Sequence, residues 1–256
     1  MHRLDPLWLA ISTYSICPAP RVAWQAESQP RMHVVLACLP LVGVLPALML
    51  LLWQRLCWLL QAGTLLFGAG AALLPLLVTG GIHMDGFMDT LDALGSRQPR
   101  ERKLAIMKDP HAGSFAVIGC TGYLLLSCSF YTALAADTRL WVVGLGFPLA
   151  RALCAFCVFS MPSARPGGML HALSRGVYDR RAAGIMLLTA LICLAAMLPC
   201  GWMLVLIVAI AAAACCFAYR CMARRQFGGV TGDTSGFFIQ SCELCLLAAF
   251  WLEGRL

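Results

Sequence analysis

Seven apolar runs, each close to the length of a bilayer crossing and almost free of charge, constrain this chain to a bundle of membrane-spanning helices. They cover residues 34–53, 56–79, 115–136, 140–161, 182–198, 202–219 and 236–252. Only 12% of the residues are charged, against about 25% in soluble domains. That is too few to coat a soluble core of 256 residues. The fold expected is an all-α polytopic bundle of about seven spans, with helices lying at the cytoplasmic interface. Pro199-Cys200-Gly201 marks a tight turn between the fifth and sixth spans. Residues 7–16 are too short to span and are followed by Pro18 and Pro20, which suits an interfacial or re-entrant segment rather than a cleaved leader. Residues 1–256 read as one membrane domain with chemistry in segments 80–114 and 228–243.

Charge placement orients the bundle. With the N-terminus in the cytoplasm, fifteen Lys and Arg fall inside, including Arg3, Arg21, Arg31, Arg165 and Arg175. Three fall outside, Arg55, Arg139 and Arg255, and Arg151 lies within the fourth span. This positive-inside bias predicts a multi-pass protein of the cell inner membrane with its chemistry facing the cytoplasm. The net charge of +7 then belongs to loops beside anionic lipid or an anionic substrate, not to nucleic-acid binding. Most of the 14 cysteines sit in apolar runs. Cys154 and Cys157 have CxxC spacing but no second pair, so they read as packing residues. A homo-oligomer is compatible with the sequence.

The segment Gly80-Gly81-Ile82-His83-Met84-Asp85-Gly86-Phe87-Met88-Asp89-Thr90-Leu91-Asp92 closes the second run. On a helix, Asp85, Asp89 and Asp92 share an arc of about 60°. Like charges so close repel, and beside a membrane they call for a cation. Carboxylates without thiols select a hard ion, Mg²⁺ or Mn²⁺, over Zn²⁺. A solvated acidic face is the plainer alternative, but Met84, Phe87, Met88 and Leu91 argue for packing against the bundle. His83 points elsewhere on the helix; a structural histidine and a role against substrate both stand.

Downstream, Arg102, Lys103 and Lys108 form a basic cluster suited to phosphate, with Asp109 before Pro110 and His111. Ordinary positive-inside charge would explain the same residues. The loop Gly228-Gly229-Val230-Thr231-Gly232-Asp233 opens the last span on the same membrane side, where glycine N–H groups and a helix N-terminus suit an anion. Asp233 would add a metal ligand or cap the helix. Glu243, two turns into the last run, is a functional candidate with Arg151 as its counter-charge; a structural pair explains both equally.

These segments resemble the cobalamin synthase family, the adenosylcobinamide-GDP ribazoletransferases. The family pattern Gly-Gly-x-His-x-Asp-Gly-x-x-Asp-Thr-x-Asp is complete from Gly80 to Asp92. Ile106-Met107-Lys108-Asp109 and Gly228 to Asp233 match its other two motifs, in order, across nearly the whole chain. The resemblance implies transfer of α-ribazole, or its 5′-phosphate, onto adenosylcobinamide-GDP with release of GMP. It implies Mg²⁺ on Asp85, Asp89 and Asp92, with Asp109 or Asp233 completing the shell, and Asp85, Asp89 or His83 as proton acceptor. Arg102, Lys103, Lys108 and His111 would then hold phosphates, and Gly228, Gly229, Thr231, Gly232 and Glu243 the nucleotide. The chain departs from the pattern at Pro110-His111, at Ala93 and at Gln240, and it lacks the arginine usual before the prolines near Pro18. A CDP-alcohol phosphotransferase is the nearest rival, but the spacing after Asp85 and Asp92 does not fit its signature. A transporter would place its acids nearer the midplane.

Overall fold

The computed structural model describes residues 4–20, 32–164 and 179–256. Arg3, Arg21, Arg31, Arg165 and Arg175 of the charge count lie outside these residues. In order the helices are α1 (Asp5–Tyr14), α2 (Met32–Ala37), α3 (Leu39–Val42), α4 (Val44–Leu59), α5 (Thr64–Thr79), α6 (Ile82–Gly95), α7 (Arg100–Ile106), α8 (Ser114–Ala133), α9 (Leu140–Ser160), α10 (Arg180–Ala196), α11 (Trp202–Met222) and α12 (Gly232–Glu253). The α11 helix runs on into a π-turn, Ala223–Phe227. Among the described residues, the only β-type pairing is an isolated bridge between Ser163 and Val230.

Six helical stretches are long and apolar enough to cross a membrane, and the bent pair α5–α6 makes seven if taken as one span. The expected count holds; two boundaries do not. The first span runs to Leu59 rather than Trp53, and the second begins at Thr64 rather than Leu56. The turn falls at Gln61-Ala62-Gly63, where Gln61 has φ +50°. Arg55, read as the break, lies inside α4 with its guanidinium 4.3 Å from the Trp58 ring centre, so the charge stays at the helix end.

The bundle is built around α9, of whose span 89% is buried, against 22% for α8 and for α11. A helix apolar on every side belongs in the centre, and the outer helices turn leucines and isoleucines toward lipid. One continuous core runs from Leu36 to Phe250.

The site is positioned by the junction of α5 and α6. Gly80 (φ +62°) and Gly81 (φ +77°) are both left-handed, a conformation that side chains with a Cβ resist, and the helices meet at 97°. The turn swings α6 across the end of the bundle instead of continuing through it. The N–H of Ile16, just after α1, donates to the Val78 carbonyl beside this turn (2.9 Å).

The α6 helix then crosses α12 at glycines. A Cβ at Gly86 would stand 2.7 Å from the Asp233 carbonyl oxygen, and one at Gly236 2.7 Å from that of His83. Because backbone opposes backbone, neither contact relaxes by a rotamer change. Gly86→Ala is expected to lower stability by about 1–3 kcal/mol in detergent melts, while Gly122→Ala on α8, which meets nothing within 4 Å, is expected to leave the melting temperature unchanged.

Candidate active site

Asp85 is exposed at the end of the bundle, and Asp89 and Asp92 are half-buried on the same side of α6. The apolar residues between them pack as expected: Met84 and Phe87 are buried with Tyr123, and Phe87 stacks on Phe237 at 5.4 Å. Asp92 has a definite task. Its two carboxylate oxygens accept the backbone N–H of Gly113 (2.6 Å) and Ala116 (2.8 Å) at the start of α8. It therefore caps α8 from another helix, where its charge meets the positive helix end. A Cβ at Gly113 would lie 2.7 Å from Asp92, which accounts for glycine there.

Asp233 sits in the first turn of α12, its backbone against Gly86, so the second motif meets α6 at the residue after Asp85. Its alternative role as a cap belongs instead to Thr231, whose hydroxyl accepts the Thr234 N–H (3.0 Å), while the Thr234 hydroxyl accepts the Thr231 N–H (2.9 Å). The Thr-x-x-Thr spacing carried that signal. The glycine turn is spent on its own architecture. The N–H groups of Gly228, Gly229 and Val230 donate to the carbonyls of Arg224 (3.1 Å), Ala223 (3.1 Å) and Pro162 (2.9 Å). Gly228 is left-handed (φ +77°), and a Cβ on Gly229 would stand 2.2 Å from the Pro162 oxygen. These N–H groups and that of Thr231, expected to form a phosphate cradle, are hydrogen-bonded within the turn and its cap. Gly232 remains exposed at the helix start.

The basic residues divide. Lys103 is buried, and its ammonium donates to the Gln226 side chain, tying α7 to the π-turn. Arg100, part of the same basic stretch but not among the candidate site residues, lays its guanidinium on Gly228. Arg102, Lys108 and His111 are exposed. His111 donates its backbone N–H to Asp109 (3.0 Å), and its ring nitrogen lies 2.7 Å from the same oxygen. The backbone bond first, then the ring, holds the Asp109 carboxyl below its usual range. His83 is buried beside Tyr14 of α1, with ring centres 6.2 Å apart.

Glu243 lies inside the bundle. Arg151 Nη1 donates to its carboxylate at 2.6 Å and to the Phe147 carbonyl at 3.1 Å. The cavity Glu243 lines with Tyr123, Ser127 and Tyr131 is about 20 Å³, room for about one water. The CxxC pair is buried and all 14 cysteines are free thiols.

Among the described residues, no three His, Cys, Asp or Glu side chains converge to hold a metal by themselves. A single Mg²⁺ takes one or two carboxylates and completes its shell with water and substrate phosphate. Asp85 and Asp89, one turn apart at the bundle end, fit that pattern.

Asp92→Ala is expected to lower stability by about 0.5–2 kcal/mol, and Asp85→Ala to leave it unchanged, by thermal melts. Because its folded pKa is depressed, Asp109 keeps its His111 contact as pH falls through the ordinary carboxylate range, and loses it only when the lowered pKa is crossed. His111→Ala keeps the backbone N–H and removes only the ring contact, so it is expected to move the Asp109 titration up by only part of the shift, read by carboxyl NMR.

With the geometry in place, comparison with known proteins is direct. The sequence model of the cobalamin-5-phosphate synthase family matches residues 6–251. The chain is 33% identical over 255 residues to a protein of Lachnoclostridium phytofermentans named adenosylcobinamide-GDP ribazoletransferase, covering 99% of this chain and 96% of that one. A protein of the same name from Pseudomonas putida is 34% identical, covering 94% and 96%. One from Clostridium botulinum is 26% identical, covering 93% of both. No solved structure matches. The chain therefore belongs to the cobalamin-5-phosphate synthase family.

Proposed function

We propose that this chain is an adenosylcobinamide-GDP ribazoletransferase that works from the face formed by α6 and the first turn of α12. The observation that carries the reading is the meeting of the two motifs at the end of the bundle, where α6, turned by Gly80–Gly81, touches the Asp233 backbone at Gly86. In the reaction, a ribose hydroxyl of α-ribazole that stays free in its 5′-phosphate attacks the cobinamide-side phosphorus of the diphosphate. A new P–O bond forms, the diphosphate bridge breaks, and GMP leaves.

Asp85 and Asp89 would hold Mg²⁺. The ion supplies neutralisation of the diphosphate charge and of the departing GMP. Asp92 and Asp109 take other tasks, the first fixing α8 and the second ordering the turn at His111. The protein contributes chiefly orientation: α6 cannot tilt without separating from α12 at Gly86 and from α8 at Asp92. An α6 carboxylate is better placed than His83 to accept the hydroxyl proton, since His83 is buried beside Tyr14. Arg102 and Lys108, both exposed, are the side chains of the basic cluster able to reach a phosphate.

The membrane side follows from charge. Arg97, Arg100, Arg102, Lys103, Lys108, Arg180, Arg181, Arg220, Arg224 and Arg225 cluster at the aspartate end, and Arg55, Arg139 and Arg255 at the other. This supports a cytoplasmic site in the inner membrane.

Purified protein given adenosylcobinamide-GDP, α-ribazole and Mg²⁺ is expected to release GMP, with Asp85→Asn and Asp89→Asn each losing about 100-fold or more in kcat and EDTA abolishing turnover. Full activity in both variants, or consumption of CDP-diacylglycerol in place of adenosylcobinamide-GDP, would overturn the reading.

A further inference from the structure

The end of the bundle opposite the aspartates carries a feature that the transfer reaction does not use. Trp58, Trp141, Trp202 and Trp251 all stand within two residues of a helix terminus there. Such an aromatic belt marks the membrane–water boundary, where lipid headgroups lie. At this level opens a cavity of about 1170 Å³. The last turns of α4 form one wall and residues 135–138 the other, and the Gln54 amide joins them by donating to the Asp137 carbonyl (3.0 Å).

The polar lining is unequal in charge. Asp137 is committed to Arg139 (3.2 Å), and Arg139 also to Glu253 (3.0 Å). Arg55 makes no ion pair among the described residues; its guanidinium rests on the Trp58 ring and borders the cavity. An arginine oriented by stacking, with its N–H fork unspent, is suited to a phosphate. From the cavity edge, Leu52 and Leu48 continue from Arg55 along one face of α4 away from the helix end, both exposed. A polar pocket at headgroup depth leading into an apolar strip matches a molecule with a phosphate at one end and an acyl chain at the other.

We propose that this cavity is a phospholipid site, with Arg55 binding the headgroup phosphate and the α4 leucines carrying an acyl chain. A free inorganic phosphate would use Arg55 but not the leucines. A neutral diacylglycerol would use the leucines but not Arg55.

The test is native mass spectrometry of the full chain in phosphate-free detergent with dioleoyl phosphatidylglycerol, dioleoylglycerol or sodium phosphate. The expected result is a discrete phosphatidylglycerol adduct that Arg55→Ala weakens at least tenfold, with neither other probe retained. GMP release in detergent is expected to be unchanged, since Arg55 lies at the far end from Asp85. Arg55 is exposed, so the variant is expected to fold; its melting temperature checks this, and Arg55→Gln removes the same charge with a longer side chain. Equal retention by both variants, retention of dioleoylglycerol, or binding of sodium phosphate alone would each overturn the proposal.

Discussion

Everything at the aspartate end depends on how two backbones are brought together where α6 crosses α12. Gly86 and Gly236 leave no room for a Cβ between the helices, so the opposing chains are held by van der Waals contact along their main chains. That crossing is reachable only because Gly80 and Gly81, both left-handed, turn α6 through 97° out of the direction of α5. Without the turn, three aspartates would continue along a lipid-facing helix, at a cost no nearby cation is placed to offset. With it, they lie on the end of the bundle, beside the start of α12.

The charged residues of the chain then separate into those that build and those that are presented. Asp92, Lys103, Arg151 and Glu243 are each answered by a protein partner: the start of α8, Gln226, and one another. Buried charges persist when paired and hydrogen-bonded, and these four sit where helices meet. Asp85, Arg102 and Lys108 face outward at the same end. The division explains how a bundle with so few charges devotes several of them to architecture and still presents acidic and basic side chains at that end.

Much of this was legible in the residues. Seven apolar runs gave the bundle, and the spacing of Asp85, Asp89 and Asp92 gave their common face, because helical periodicity is local. Arg151 as the counter-charge of Glu243 was also legible, since two opposite charges inside spans must find each other. What spacing does not give is the partner a side chain takes. Asp92 looks like its two neighbours in sequence, yet α8 begins beside it and takes both its oxygens. Gly228 and Gly229 read as a phosphate cradle, but their amides close the turn on Ala223 and Arg224, and Gly229 lies against residues 162–164 of a remote segment. The break at Gln61 rather than Arg55 was hidden because a stacked arginine is tolerated at the end of a spanning helix.

The central claim is that Asp85 and Asp89 form half of a metal site whose other half arrives with the diphosphate. Titration of Mn²⁺ followed by electron paramagnetic resonance, with and without adenosylcobinamide-GDP, tests it most directly. The account predicts weak binding to the protein alone, tightened at least tenfold by the substrate, and no such tightening in the Asp85→Asn, Asp89→Asn double variant. Equal affinity with and without substrate, or full tightening in the double variant, would contradict it.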